Sequence, residues 1–341
     1  MTMRKALVIL MAMFAFSHDH VLAASEDVLI QTGFGPLAGT YLLPDSGKPR
    51  AVALIIAGSG PTDRNGNSKG LPGSNNSLKM LAEALAENGI GSLRYDKRLI
   101  GESASSPLSE ADLRFDTYID DAKVLLGFLR SRADVPLLVI GHSEGAQLGT
   151  IAATGEDVCA VIAIAGPGIP AGQIILEQVR PKLPPELLAK TEHIVAELEA
   201  GRAVADTPPE LAALFRDSVQ SYLVSWFAYD PAEAIAALDI PILLVYGTTD
   251  IQIPVSYGER LAAASENAEL VVIDGMNHVL KMVGPDPQAQ MRSYGDPSLP
   301  LAPDLASNTI EFIDSTLTRC PRTCLLYTSD AADDNRVGGL G

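Results

Sequence analysis

Residues 136–150 read Pro-Leu-Leu-Val-Ile-Gly-His-Ser-Glu-Gly-Ala-Gln-Leu-Gly-Thr. The apolar run at 137–140 is typical of a buried strand, and the small apolar residues that follow position 145 can begin a helix. Between them, residues 141–145 match Gly-x-Ser-x-Gly, which marks a sharp strand-to-helix turn with an exposed serine hydroxyl when both flanking elements are present. We therefore predict that Ser143 is a nucleophile. A surface serine on an ordinary strand–helix turn is the alternative.

Short apolar runs alternate with helical patterns along the rest of the chain. This alternation predicts an α/β fold with a mostly parallel central sheet and helices on both faces. Two further runs, at 28–32 and 37–43, flank Gly-Phe-Gly-Pro at 33–36 and predict an antiparallel hairpin at the edge of the sheet. The buried strands are predicted at 51–57, 90–95, 137–140, 158–165, 240–246 and 270–273, and helices at 77–87, 113–130, 146–153, 256–265 and 304–316.

One long segment interrupts this alternation. Residues 169–237 contain no strand candidate and are rich in Leu and Ala, which predicts a helical cap inserted into a core made of residues 24–168 and 238–318. The second half of the cap carries Tyr222, Trp226 and Phe227. These side chains could line an apolar substrate pocket, or they could instead hold the cap on the core.

The two ends of the chain differ from the rest. Basic residues before an apolar run at 6–16, followed by small residues at 21–23, predict a cleaved signal peptide over residues 1–23 and export to the periplasm or medium of a bacterium. The apolar run is short for a membrane span, although an uncleaved anchor is the alternative. Residues 320–341 lack an amphipathic pattern and resemble translated sequencing-adaptor sequence, so we interpret them as a non-native or disordered tail.

Composition narrows the class of protein. The net charge of −17 argues against nucleic acid or anionic membrane surfaces as partners, and no stable membrane span is expected once the signal is cleaved. With both ends set aside, Cys159 is the remaining cysteine, which we predict to be an unpaired core thiol. No metal or cofactor is expected, because the sequence has no ligand cluster at metal-binding spacing and no complete dinucleotide or phosphate-loop motif.

A serine nucleophile needs a base within hydrogen-bond reach, and the base needs a third group that orients it. Position excludes four of the histidines, because two leave with the signal, one neighbours the serine and one lies in the predicted cap. His278 remains, and it follows the strand at 270–273, at the carboxyl edge where α/β sheets place their sites. The excluded histidines are His18, His20, His142 and His193.

The orienting carboxylate and the oxyanion donors are predicted from the same edge of the sheet. Asp250 follows the strand at 240–246, whereas Asp239 precedes it and lies at the opposite edge. Asp274 is the main rival for the acid but is typical of an Asp-Gly turn. The predicted oxyanion donors are the N–H of Glu144, at a helix N-terminus, and the N–H of Ser59, with the N–H of Gly60 as the alternative to Ser59.

Four loops resemble a known family. Residues 58–67, Gly-Ser-Gly-Pro-Thr-Asp-Arg-Asn-Gly-Asn, are similar to an oxyanion loop of the α/β-hydrolase superfamily, and Tyr-Asp-Lys-Arg at 95–98 is similar to its turn after the fourth strand. Gly-Thr-Thr-Asp at 247–250 and Gly-Met-Asn-His at 275–278 resemble its acid and base loops. The resemblance extends over residues 27–318 and is greatest to secreted bacterial serine esterases related to the serine-aminopeptidase-like branch.

The resemblance implies acyl transfer to Ser143 with His278 as base and Asp250 as acid, in the chain order of this superfamily. It implies a small-molecule acyl ester of short to medium chain length as substrate. One departure is Leu99, which stands where relatives usually have glycine and can alter the loop around Arg98.

Two alternatives to an esterase stay open. An aminopeptidase or amidase of the same fold would need an anchor for the α-amino group of its substrate, such as Glu192, Glu197 or Glu199, but these are typical of a solvated helix face. A catalytically inactive hydrolase fold that binds a ligand is the other alternative. The sequence gives no indication of the oligomeric state.

Overall fold

The computed structural model describes residues 24–105 and 107–320, so the predicted signal peptide and residues 321–341 lie outside the described part. An eight-stranded sheet with the order β1-β2-β4-β3-β5-β6-β7-β8 forms its centre. β2 pairs antiparallel with β1 and β4, while all other pairs are parallel, which confirms the mostly parallel sheet and the edge hairpin. The strands are β1 (Ser25–Thr32), β2 (Gly35–Leu42), β3 (Ala51–Ile56), β4 (Ile90–Tyr95), β5 (Leu137–His142), β6 (Ala160–Ile164), β7 (Ile242–Gly247) and β8 (Ala268–Ile273).

Helices cover both faces of the sheet and also fill the interval between β6 and β7. They are α1 (Ser77–Glu87), α2 (Phe115–Arg132), α3 (Glu144–Ala153), α4 (Ala171–Val179), α5 (Pro185–Glu199), α6 (Ala212–Phe215), α7 (Asp217–Phe227), α8 (Pro231–Ala236), α9 (Val255–Ala264), α10 (Pro287–Ser293) and α11 (Pro303–Leu317).

The continuous apolar runs of the central strands build two hydrophobic cores. In β3, the even-numbered residues 52–56 pack with α2 and α3, and the odd-numbered residues 51–55 pack with α1 and α11. Successive side chains of a strand point to opposite faces, so a strand that is covered on both faces must be apolar at every position. This explains why these strands could be recognised from composition although they lack alternation.

The segment between β6 and β7 is helical, as the sequence predicts for residues 169–237. Its helix α7 packs on α2 through aromatic side chains. The Phe115 ring stacks on Trp226 with 5.7 Å between centroids, and the Tyr118 ring meets Tyr222 edge-on at 5.6 Å. Phe227 is also buried. These contacts correspond to the second role considered above, attachment of the cap to the core.

The prediction of an unpaired Cys159 is wrong. Its sulfur is bonded to that of Cys320, 161 residues further along the chain. Cys159 directly precedes β6 and Cys320 follows α11, so the disulfide joins the last helix to the sheet. The prediction failed because Cys320 is the first residue of the segment interpreted as a tail, so Cys159 has no visible partner in the sequence.

Two glycines at the Ser143 turn allow β5, α3 and β3 to approach closely. A Cβ on Gly141 would lie 2.2 Å from the carbonyl oxygen of Gly145. A Cβ on Gly145 would lie 2.4 Å from the Ile56 carbonyl oxygen. Both obstacles are main-chain atoms of packed elements, which cannot rotate away as a side chain can.

We expect Gly145→Ala to lower the free energy of unfolding by about 3 kcal/mol, because a methyl group must displace the main chain of β3. Gly127→Ala is the matched control, since Gly127 lies in α2, is exposed and has no atom within 4 Å of an added Cβ. Alanine there should raise stability by about 0.5–1 kcal/mol through its helix preference. Urea denaturation midpoints would measure both changes, and equal shifts for the two variants would contradict the close-packing argument.

Candidate active site

Ser143 lies at the turn between β5 and α3 with φ 56° and ψ −125°. A non-glycine residue rarely adopts a positive φ, and such strain persists only where the surroundings enforce it. Here the Ser143 N–H donates to the Ile164 carbonyl (2.9 Å), and the Ser143 carbonyl accepts from the Ala146 N–H (2.9 Å). Ser143 is half-buried while His142 and Glu144 on either side are buried, so the turn presents this one residue to solvent.

Asp250 and His278 form a buried pair after β7 and β8. The distance from His278 Nδ1 to Asp250 Oδ2 is 2.8 Å, and Asp250 Oδ1 accepts the N–H groups of Gln252 (2.7 Å) and Ile253 (2.9 Å). Burial raises the pKa of Asp250, but His278 and the donated hydrogen bonds lower it, and the pKa lies below its ordinary value. A carboxylate therefore faces Nδ1, which leaves Nε2 as the nitrogen that can accept a proton.

Asp274, the alternative candidate for the orienting acid, bonds the turn after β8 instead of His278. The Asp274 carboxylate accepts the hydroxyl of Thr248 at 2.8 Å, and this hydroxyl oxygen in turn accepts the Gly275 N–H. Asp274 therefore belongs to the turn after β8, as an Asp-Gly turn residue should.

His142 links the serine turn to the loop of His278. Its Nε2 lies 2.8 Å from the His278 carbonyl oxygen, and the two rings are 4.9 Å apart between centroids. Burial, and then the neighbouring His278, lower the pKa of His142 to about 3, so the ring is neutral and its Nε2–H donates to that carbonyl. Among the residues that the structure describes, no hydrogen bond joins the Ser143 hydroxyl to the His278 ring; such contacts commonly shorten only when substrate binds.

A second link between the acid and base loops comes from α10, which the sequence analysis missed. Gln290 is fully buried, and its Nε2 donates to the Thr249 carbonyl (3.1 Å) and the Gly284 carbonyl (2.9 Å). Its Oε1 accepts Nδ2 of Asn277, the residue before His278 (3.2 Å). The signal for this short helix was Asp286-Pro287, an N-cap aspartate followed by proline at the first helical position.

The predicted oxyanion donors lie on both sides of Ser143. Glu144 begins α3, where the first N–H groups have no acceptor within the helix. The loop of Ser59 and Gly60 runs directly against the serine, since a Cβ built on Gly58 would lie 3.1 Å from Ser143 Cβ. The buried Lys97 side chain, which no sequence pattern identifies, donates to the Gly58 carbonyl and to the Glu144 carboxylate.

The neighbouring Arg98 has a structural role. Its side chain is fully buried, pairs with Asp121, and donates to the Thr32 hydroxyl and the Phe34 carbonyl. Leu99 adopts φ 65°, a left-handed conformation that glycine tolerates without strain. This backbone conformation is the reason that glycine, expected there from the resemblance, would fit the position without strain.

The three predicted pocket residues all lie on α7. Trp226 Nε1 donates to Gln147 Oε1 at 2.8 Å. Burial, and then the nearby charge of Glu144, raise the pKa of Tyr222 well above its ordinary value. Phe227 packs in the core, and a role in substrate binding stays a prediction for all three aromatic residues.

Within residues 24–105 and 107–320, no group of three or more His, Cys, Asp or Glu side chains is placed to hold a metal ion. Within the same residues, no helix has the length and apolar character that a membrane crossing requires.

Comparison with known proteins defines the class. A model of the Alpha/beta hydrolase family matches residues 71–293, more than half of the 341 residues, and the chain belongs to this family. It is 28% identical over 248 residues to esterase EstD of Thermotoga maritima. That match covers 72% of this chain and 58% of EstD, so the chain spans little more than half the length of this relative.

Solved structures share the same fold. Est1E from Butyrivibrio proteoclasticus with bound ferulic acid is 18% identical with a TM-score of 0.58, covering 85% of this chain and 99% of Est1E. Pyrococcus furiosus esterase Pf2001 is 18% identical with a TM-score of 0.54, covering 86% of this chain and 91% of that structure. These likenesses confirm the predicted α/β-hydrolase fold.

We expect Asp250→Asn to lower kcat by roughly 10³–10⁴-fold, because an amide at this position favours the wrong tautomer of His278. Asp274→Asn is the matched control and should leave kcat within about threefold of wild type, since that carboxylate holds a turn. Steady-state kinetics on a chromogenic ester would measure both. A larger loss for Asp274→Asn than for Asp250→Asn would show that the orienting acid has been misassigned.

Proposed function

We propose that this protein is a carboxylic ester hydrolase that uses Ser143, His278 and Asp250 as a catalytic triad. The observation that carries the proposal is the buried His278–Asp250 pair. His142, the residue before the strained Ser143, bonds the main-chain carbonyl of His278 and so ties this pair to the serine turn. Similarity to EstD, a protein named as an esterase, favours esters over other acyl substrates.

In the proposed reaction, Ser143 Oγ attacks the ester carbonyl carbon while His278 Nε2 takes the hydroxyl proton. Asp250 stabilises the resulting imidazolium, and the leaving alcohol departs with the proton. Water then attacks the acyl-enzyme by the same route and releases the acid. The N–H groups of Glu144 and Ser59, or of Gly60 in place of Ser59, would stabilise the oxyanion, each by about 3–4 kcal/mol.

The narrower expectations are part of the same proposal. The substrate would be an ester of short to medium acyl length, with Tyr222, Trp226 and Phe227 of the cap nearest to it. The enzyme would be exported through a cleaved signal over residues 1–23 and would belong to the secreted, aminopeptidase-like branch. The sequence pattern of residues 1–23 supports export.

An aminopeptidase is less favoured. Two of the acidic side chains that could anchor an α-amino group are engaged on the exposed face of α5. Glu197 pairs with Arg202 at 2.7 Å, and Glu192 pairs with Arg180 at 3.3 Å. This arrangement is typical of a solvated helix face.

Hydrolysis of p-nitrophenyl esters from acetate to palmitate, by wild type and by Ser143→Ala, tests the proposal. We expect a short- to medium-chain optimum for wild type and a loss of turnover of about 10³-fold or more in the variant. An equal rate for both proteins would overturn the role of Ser143.

If wild type hydrolyses no ester, aminoacyl p-nitroanilides and a fluorophosphonate probe separate the alternatives. Turnover of the anilides would indicate an aminopeptidase. Absence of Ser143 labelling by the probe would indicate an inactive fold that binds a ligand.

A further inference from the structure

Lys97 is a buried lysine whose ammonium lies between the Gly58 carbonyl, in the peptide unit that carries the Ser59 N–H, and the side chain of Glu144. It follows β4 at the carboxyl edge of the sheet, and 2% of its side chain is exposed. Its Nζ lies 2.7 Å from Glu144 Oε1 and 2.8 Å from the Gly58 carbonyl oxygen. The Glu144 side chain is 3% exposed, so both charges of this pair are withdrawn from water.

The contact with Gly58 acts on the peptide unit that carries the Ser59 N–H. The carbonyl of one residue and the N–H of the next belong to the same rigid plane. None of the described peptide bonds is cis, so this C=O and N–H point in opposite directions. A donor that fixes the direction of the Gly58 carbonyl therefore also fixes the direction of the Ser59 N–H.

The charge of the ammonium adds to this geometric effect. A cation at a carbonyl oxygen draws electron density toward it, and hydrogen bonds in a chain polarise one another. The Ser59 N–H thereby becomes a stronger donor to an oxyanion on its other side. The effect is larger in a buried site than in water, because the effective dielectric constant is lower.

The Glu144 carboxylate compensates the charge of Lys97. The main-chain N–H of the same residue is the other predicted oxyanion donor. The carboxylate anchors Lys97, while this N–H lies at the start of α3 beside Ser143. Tyr118 of α2 also contacts this pair, since its ring centroid lies 5.1 Å from Lys97 Nζ.

We infer that Lys97 is a positioning residue, whose ammonium, held by Glu144, aligns and polarises the N–H donors of the oxyanion hole. This inference rests on the proposed function. It adds a group that does not touch the substrate and acts through the peptide unit between Gly58 and Ser59.

The double variant Lys97→Met/Glu144→Gln is the main test. Removing one member of a buried pair leaves an unpaired charge and can prevent folding, whereas removing both charges avoids that cost. We expect kcat on the best ester to fall by about 10–100-fold with KM within about threefold of wild type, because the donors act mainly in the transition state. A trifluoromethyl ketone inhibitor, which forms an oxyanion adduct, should bind more weakly by a similar factor.

Arg98→Met/Asp121→Asn is the matched control. It removes a similarly buried ion pair between Arg98, the residue after Lys97, and Asp121 of α2, and the contacts of these side chains do not include the Gly58–Ser59 peptide unit. We expect this variant to keep kcat and inhibitor affinity within about threefold of wild type. Glu144→Gln alone is the second variant: its amide oxygen can still accept a hydrogen bond from Lys97, which limits the cost of the unpaired charge, and Lys97 keeps its contact with Gly58. Where it folds, this variant should lose less activity than the double variant.

The readouts separate failure of this inference from failure of the proposed function. If wild type hydrolyses esters and the folded Lys97→Met/Glu144→Gln protein keeps kcat and inhibitor affinity within about threefold, the pair is only structural and the inference is overturned. If wild type hydrolyses no ester, the proposed function fails. The labelling rate of Ser143 by a fluorophosphonate then tests the inference, and equal rates in wild type and the double variant would overturn it.

Discussion

The backbone strain at Ser143 is the constraint around which the site is arranged. A residue held in a sparsely populated backbone region costs about 1–3 kcal/mol, and the native structure must supply the compensation. Here close packing supplies it, since Gly141 and Gly145 bring β3, β5 and α3 to distances at which a Cβ does not fit. The packing of the sheet against α3 therefore fixes the position of the Ser143 hydroxyl. The other site residues must lie within reach of that position.

The other site residues lie near Ser143 because they follow parallel strands, whose carboxyl ends meet at one edge of the sheet. Lys97 and Arg98, consecutive residues after β4, show how that edge is used. Lys97 faces Glu144 and the Gly58 carbonyl, whereas Arg98 faces Asp121 and the β1–β2 turn. Both cations are buried, and each is paired because an unpaired buried charge is costly. One pair lies against the predicted oxyanion donors and the other secures the edge hairpin.

Much of the fold could be predicted from the sequence because the buried strands are continuous apolar runs. The element limits of β4 and α1 agree with the prediction at every residue. The failures have identifiable causes. The helix α10 is short and polar, and its buried Gln290 becomes meaningful only when its three-dimensional partners are known. The disulfide is not predictable in this way, because Cys320 lies at the start of a segment that lacks an amphipathic pattern and resembles translated adaptor sequence.

Some residues of the candidate site could be predicted from the sequence and others could not. His278 and Asp250 could be selected by position after a strand, and the structure brings the two together. The roles of His142 and Lys97 were not accessible in this way. Both act on main-chain groups of residues distant in sequence, the carbonyls of His278 and Gly58, and no spacing rule encodes such a contact.

Helix α7 packs beside the Lys97–Glu144 pair and thereby affects the surroundings of the predicted oxyanion donors. Tyr222 lies close enough to Glu144 for that charge to raise its pKa, and Trp226 bonds Gln147 on the helix that Glu144 begins. Removing α7 from α2 would admit water to the Lys97–Glu144 pair, and water weakens electrostatic interactions by raising the local dielectric constant. A residue of α7 can therefore affect the predicted oxyanion donors without touching a substrate. Attachment of α7 to α2 and the predicted contact of its aromatic residues with substrate are for this reason not exclusive.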